Sequence, residues 1–155
     1  MRLEHKVAIV TGGGSGFGAG ICSKFVAEGA QVLVADINLE AALDVAARLG
    51  PAARALRVDV SQAADVRTMV DAAEQHFGKV DILVNNAGIG HLPQPLEGLP
   101  EDEFDRLFAV NMKSIYLAAR EVVPRLKARK AGVILNMAST AGVSPRPRLT
   151  WYNAS

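Results

Sequence analysis

The sequence has 155 residues, half of them apolar and 21% charged, with 17 basic and 16 acidic side chains for a formal charge of +1. This is globular rather than disordered composition, fits a single domain over residues 1–155, and offers no basic tract for nucleic acid or an anionic membrane. The only cysteine, Cys22, excludes an internal disulfide framework, and the N-terminal apolar run is too short for a signal segment or a membrane span, so a cytoplasmic protein is expected.

The first apolar run, Val7–Val10, reads as a strand, followed by TGGGSGFG (Thr11–Gly18) and a helix over about Ser15–Glu28 that stops at Gly29. A second strand, Val32–Ala35, leads to Asp36. The next helix starts near Asn38, a capping residue type, and ends at Leu49-Gly50-Pro51. Ala55–Val58 reads as the third strand. A third helix runs from Ser61 to just before Gly78, with Val66, Met69, Val70 and Ala73 at helical spacing. Ile82–Val84 is the fourth strand, closed by Asn85-Asn86-Ala87-Gly88 and followed by a Pro/Gly-rich loop, His91–Pro100. A long helix opens at Pro100, with acids on the positive end of its dipole, and runs to about Arg129. Pro124 within it predicts a kink or a shifted boundary. Val133–Met137 is the fifth strand. The strands lack polar alternation, as expected where helices cover both faces. Five strands alternating with four helices predict an α/β fold, a Rossmann-type doubly wound parallel sheet in three α/β/α layers.

Glycines at the first strand-to-helix turn let the backbone approach a ligand, and the helix N-terminus offers free N–H groups to an anion. Asp36 lies 20 residues after Gly16, where an acid can take the hydroxyls of an adenosine ribose. No Gly-Lys-Ser/Thr follows, which excludes a P-loop. The glycine spacing is Gly12-x-x-x-Gly16-x-Gly18; Gly14, Gly16 and Ala19 also fit the G-x-G-x-x-A form, but only by shifting the turn into the helix. Dinucleotide binding is expected.

TGGGSGFG, Asn85–Gly88, Asn111, Ser139 and Tyr152, in that order, resemble the short-chain dehydrogenases/reductases over nearly the whole chain. The resemblance implies that Gly12, Ser15, Gly16, Phe17 and Gly18 bind the pyrophosphate of a nicotinamide cofactor. Asp36 would hold the adenosine ribose with Ile37 beside it. Asp59 and Val60 would contact the adenine, although Asp59 could instead cap the helix before Ser61. Asn86, Ala87 and Gly88 would line the nicotinamide-side ribose, Asn85 would support the sheet, and Asp81 would brace the fold. NAD is expected over NADP, because a 2′-phosphate would face the Asp36 carboxylate with no lysine or arginine at Ile37 or Gly13–Ser15.

Removing hydride from an alcohol carbon requires loss of the hydroxyl proton. The resemblance implies that Tyr152 is the acid/base, that Ser139 bonds the substrate oxygen, and that Asn111 holds a water in the proton relay. The expected reaction interconverts a small secondary alcohol and a ketone, in the manner of a ketoacyl reductase or a sugar or steroid dehydrogenase. No metal-ligating set is expected. Cys22 reads as core, His5 and His76 as surface, His91 as surface or pocket rim, and Trp151 as packing near the substrate side. The full-length form is expected to be a homodimer or homotetramer, with Ile115, Leu117, Ala118 and Val122 of the long helix available to bury.

The family's Tyr-x-x-x-Lys signature would place a lysine at position 156, beyond Ser155. One helical turn from the tyrosine, its charge would lower the phenol pKa, since an unperturbed phenol is only about one part in a thousand ionised at neutral pH. The expectation is therefore the N-terminal part of a longer domain, incomplete at its C-terminus and without measurable turnover alone. The competing reading is a catalytically inactive nucleotide-binding fragment or interaction module.

Overall fold

Apolar strands that bury both faces belong at the centre of a sheet, and the first strand does so along its entire length. A computed structural model describes residues 1–155. Strand β1 (Val7–Thr11) is wholly buried and lies between β2 (Gln31–Asp36) and β4 (Ile82–Asn85), with β3 (Ala53–Arg57) and β5 (Val133–Asn136) at the two edges. The order is β3-β2-β1-β4-β5 and every pairing is parallel, with Ala8 opposite both Val32 and Ile82. The chain moves outward from β1 in one direction, then returns to start again at β4. The crevice at the carboxyl ends of β1 and β4 is the topological switch point, where open α/β sheets bind ligands.

Helices α1 (Gly16–Ala27) and α2 (Leu39–Leu49) cover one face, packing Cys22, Ala42 and Val45 on Ala8, Val10, Val32 and Val34. Helices α3 (Ala63–Phe77) and α5 (Ser114–Arg129) cover the other, packing Val66, Met69, Val70, Leu117 and Val122 on Ile9, Leu33 and Leu83. Alternate residues of one strand therefore enter two different apolar layers, which accounts for the missing polar alternation. Local signals set several boundaries: Asn38 Oδ1 caps α2 by accepting from Ala41 N–H at 3.2 Å, and Gly78 ends α3 at φ 82°.

Four expectations are corrected. The third strand is Ala53–Arg57 rather than Ala55–Val58, because buried Ala53 pairs with Val32 and extends the ladder backward. The long helix does run from Glu101 to Arg129, as α4 (Glu101–Phe108), a π-helical turn over Ala109–Lys113 and α5, but Pro124, expected to mark a kink or a boundary, lies inside α5. Pro124 is on the exposed side, where water can serve a carbonyl that lost its donor, so the helix continues through it. Leu117, Ala118 and Val122 are buried against the sheet and α3, and Ile115 is half-buried, so this stripe is core rather than a partner-facing surface. The outward side of the helix is Met112, Tyr116 and Arg120. Finally, β5 is covered on one face only. Ile134 packs on the α3/α5 layer, while Val133 and Leu135 on the opposite face are 59% and 46% exposed, because α1 and α2 do not extend over this edge.

A further short helix, α6 (Thr150–Ala154), carries Tyr152. No helix is long and apolar enough to cross a membrane.

Candidate active site

The glycine loop is shaped by two close approaches. Gly12 has φ +62°, and a Cβ there would lie 3.0 Å from Ala87 Cα, so only glycine lets the turn lie against the end of β4. Gly18 lies against the same turn: a Cβ there would stand 2.0 Å from the Gly12 carbonyl oxygen. The tight turn is thus at Gly12 and the first helical residues follow from Gly16, which resolves the two spacings the sequence left open.

Thr11 and Asn86 bind this loop to β4. The buried Thr11 Oγ1 accepts from the backbone N–H groups of Asn86 and Ala87, both at 3.0 Å, and donates to Val84 O at 3.3 Å. Asn86 Nδ2 donates back to Thr11 O at 2.9 Å and Gly12 O at 3.2 Å. Asn85 reaches the other way, donating to Asn136 Oδ1 at 2.8 Å and linking β4 to β5. These bonds join residues more than 50 positions apart and hold the three strand ends as one rim.

Asp36 ends β2 at that rim. Its Oδ2 accepts from Gly14 N–H and its Oδ1 from Asn38 N–H, each at 2.9 Å, so it anchors the glycine loop as well as lining the crevice. Asp59 is not the helix cap weighed for it, since α3 starts at Ala63 with Gln62 in the cap position; its Oδ1 instead accepts from Ser61 N–H at 3.0 Å and Ser61 Oγ at 2.7 Å, closing the turn before the helix, and Asp59 also lines the crevice. All twelve residues expected to hold cofactor border one cavity of about 370 Å³, whose lining contains no lysine or arginine.

A second cavity, of about 770 Å³, shares Phe17, Asn86, Ala87, Gly88 and Ile89 with the first and brings together Asn111, Ser139 and Tyr152. The Phe17 ring, 84% exposed, stands where the two cavities meet. Asn111 lies in the π-helical turn, an irregularity often found at functional sites. Its Oδ1 accepts from Ile89 N–H at 2.9 Å, while Nδ2 donates to Ile89 O at 2.9 Å and to Ser155 Oγ at 2.8 Å. Ser139 is exposed just beyond β5 and its Oγ accepts from Ala141 N–H at 3.1 Å, leaving its hydroxyl proton free to donate. Tyr152 is half-buried on α6.

Ile89 is the residue that sequence reading missed: it lines both cavities, and its backbone is clasped by Asn111, a pairing across 22 positions with no local signature. Thr11 was visible only as the start of the glycine motif. Cys22 is core, as read; burial pushes its thiol up to about 12, so it is no nucleophile at neutral pH. His5 and His76 are exposed, and Trp151 sets its ring edge-on to Phe104 at 5.1 Å.

Asp81 braces the fold. It accepts from Val7 N–H at 2.9 Å and pairs with Arg129 at 2.8 Å and Lys79 at 3.1 Å. Burial opposes its ionisation, but these donors outweigh burial and hold its carboxyl below the usual carboxylate range.

The family model described as short chain dehydrogenase matches residues 6–155. The chain is 48% identical to 4-formylbenzenesulfonate dehydrogenase of Comamonas testosteroni and 42% identical to galactitol 2-dehydrogenase of Agrobacterium fabrum, with all of this chain aligned to 63% and 60% of those proteins. It is 50% identical to the 3-ketoacyl-(acyl-carrier-protein) reductase of Brucella melitensis, solved in complex with NADH, at a TM-score of 0.96 over 98% of this chain and 64% of that one. NAD⁺-bound xylitol dehydrogenase is 30% identical at a TM-score of 0.94, over 99% of this chain and 60% of that one. The chain thus spans about three-fifths of the length of these relatives, and over that span its backbone superposes closely on the two solved structures. The chain belongs to the short-chain dehydrogenase family.

Proposed function

We propose that the protein is the cofactor-binding and catalytic-edge part of an NAD(H)-dependent oxidoreductase that interconverts a secondary alcohol and a ketone. The observation that carries this reading is the junction of the two cavities, one bordered by the glycine loop and Asp36, the other by Ser139, Tyr152 and Asn111.

The first cavity fits a dinucleotide chemically. Gly12 and Gly18 leave room for main-chain approach, the N-terminus of α1 presents N–H groups suited to a pyrophosphate, and Asp36 offers acceptors to ribose hydroxyls. A 2′-phosphate would meet the Asp36 carboxylate without a compensating cation in the lining, which favours NAD over NADP. A nicotinamide cofactor held by the glycine loop and Asp36 would supply the hydride acceptor or donor.

The remaining work belongs to the chain. Tyr152 exchanges a proton with the substrate oxygen and Ser139 donates its hydroxyl proton to that oxygen to orient it. Asn111 fixes the Ile89 backbone at the boundary between the cavities and keeps one lone pair of Oδ1 for a relay water. The protein assembles with copies of itself through the outward side of the long helix, at Met112 of the π-helical turn and Tyr116 and Arg120 of α5, the last of which stacks its guanidinium 5.7 Å from the Tyr116 ring centre. Substrates of the class are small hydroxylated or carbonyl compounds, like those after which the relatives are named.

Fluorescence titration with NADH and NADPH tests cofactor binding on the 155-residue chain. Turnover is measured with polyol and ketone panels on this chain extended to the length of its relatives. There Tyr152→Phe should lower turnover by several orders of magnitude while NADH affinity stays within about twofold, since these groups act as a unit in the proton transfer. Turnover that survives Tyr152→Phe would overturn the assignment.

A further inference from the structure

We propose that His91 is a positioning residue that caps the Tyr152 helix as a neutral imidazole and lets it go on protonation. This rests on the reading of Tyr152 as the proton-transferring group.

The segment leading into α6 is strapped by the loop that follows β4. Gln94 N–H donates to Arg148 O at 2.9 Å, Trp151 Nε1–H donates to Leu96 O at 3.0 Å, and Tyr152 N–H donates to His91 Nε2 at 3.4 Å. Helix α6 begins at Thr150, and its first internal bond is Asn153 N–H to Leu149 O at 2.8 Å. The Tyr152 N–H therefore belongs to the first turn, whose donors have no partner within the helix. His91 supplies one. The strap also runs beside the ring: a Cβ built on Gly90 would stand 3.8 Å from Tyr152 Cδ2.

The partners of His91 determine its tautomer. Nδ1 faces Leu92 O at 2.8 Å, and a carbonyl only accepts, so Nδ1 carries the hydrogen. Nε2 faces the Tyr152 N–H, which only donates, so Nε2 is bare. Only the neutral Nδ1–H form satisfies both. Protonation would set an N–H against an N–H, removing the cap and repelling the helix backbone, while leaving the Leu92 bond intact. Glu103 and Arg106 of α4 are the charged groups that line the same cavity of about 320 Å³ as His91, and the phenol of Tyr152 is the titratable side chain of α6. Acidification thus loosens the placement of Tyr152 through a second group, separately from any ionisation of the phenol.

The chain has only three histidines, so each ring can be assigned by NMR. Long-range ¹H–¹⁵N spectra of the 155-residue chain should show His91 at neutral pH as the Nδ1–H tautomer. The Tyr152 amide protection factor should fall about 5- to 10-fold on acidification with the midpoint of the His91 ring itself, the scale of one lost hydrogen bond. His91→Gln, which keeps an acceptor and does not titrate, should hold Tyr152 protected across that range. His91→Leu should lack the protection at every pH. An Nε2–H tautomer, or a Tyr152 transition that persists unchanged in His91→Gln, would overturn the proposal. Should His91→Leu fail to fold, the tautomer and the glutamine variant still decide. NADH titration of the same samples separates the two readings: lost cofactor binding with an intact His91–Tyr152 linkage counts against the proposed function, and intact binding without linkage counts against the cap.

Discussion

Exchanging Asp36 for serine and Ile37 for arginine should move cofactor preference toward NADP, and the structure adds a cost to that exchange. The carboxylate accepts two backbone hydrogen bonds of 2.9 Å, from Gly14 in the glycine loop and from Asn38 at the cap of α2. Bonds to charged groups are worth about 1.5–3 kcal/mol when partly buried and less when exposed, so losing both should destabilise the fold by about 2–4 kcal/mol. That corresponds to roughly 5–12 °C in Tm for a domain of this size. Against it stands the gain for NADP. Removing a like charge beside a 2′-phosphate and adding a guanidinium should be worth about 1.5–3 kcal/mol, or roughly 10- to 100-fold in relative affinity. The assay is paired fluorescence titration with NADH and NADPH, alongside thermal unfolding, for the double variant and for Asp36→Asn. Asparagine removes the charge but keeps one oxygen for Gly14, so it should relieve discrimination against NADPH at a smaller stability cost. An unchanged NADH/NADPH ratio in both variants would refute the charge-repulsion account and leave Asp36 as a loop anchor alone.

Gly18→Ala should abolish measurable NADH binding and destabilise the fold by about 1–3 kcal/mol, because its Cβ would stand 2.0 Å from backbone oxygen. Gly20→Ala, mid-helix with nothing within 4 Å, should instead stabilise by about 0.5–1 kcal/mol; equal Tm values for the two variants would contradict the packing argument. Asp81→Asn should cost about 1–3 kcal/mol at neutral pH, seen in urea unfolding. Because the Asp81 carboxyl is held below its usual range, its stabilisation is present above the unfolded value near 3.9 and is lost as pH falls through the folded one. The difference between wild type and Asp81→Asn should therefore shrink toward zero in strong acid; a constant difference would contradict the linkage.

Much of the architecture follows from short windows of sequence. Val7–Thr11 is apolar and β-branched enough to be a central strand, and Asn38 and Gly78 mark helix ends by chemistry that acts within three residues. The glycines and Asp36 identify the crevice because a turn, a helix N-terminus and the end of the next strand are all local features. What the sequence could not supply is the outcome of contacts between distant segments. The face of α5 is an example: periodicity shows an apolar stripe at Leu117, Ala118 and Val122, but only packing decides that the sheet rather than a partner covers it. The π-helical turn at Ala109–Lys113 has no proline or glycine to announce it, while Pro124 ends nothing, because helix geometry depends on where a freed carbonyl finds water or a partner. The same holds for the second duty of Asp36, for Ile89 in the grip of Asn111, and for His91 against Tyr152 across 61 positions. Residue type states which bonds a group can make; the folded chain alone states which partner arrives.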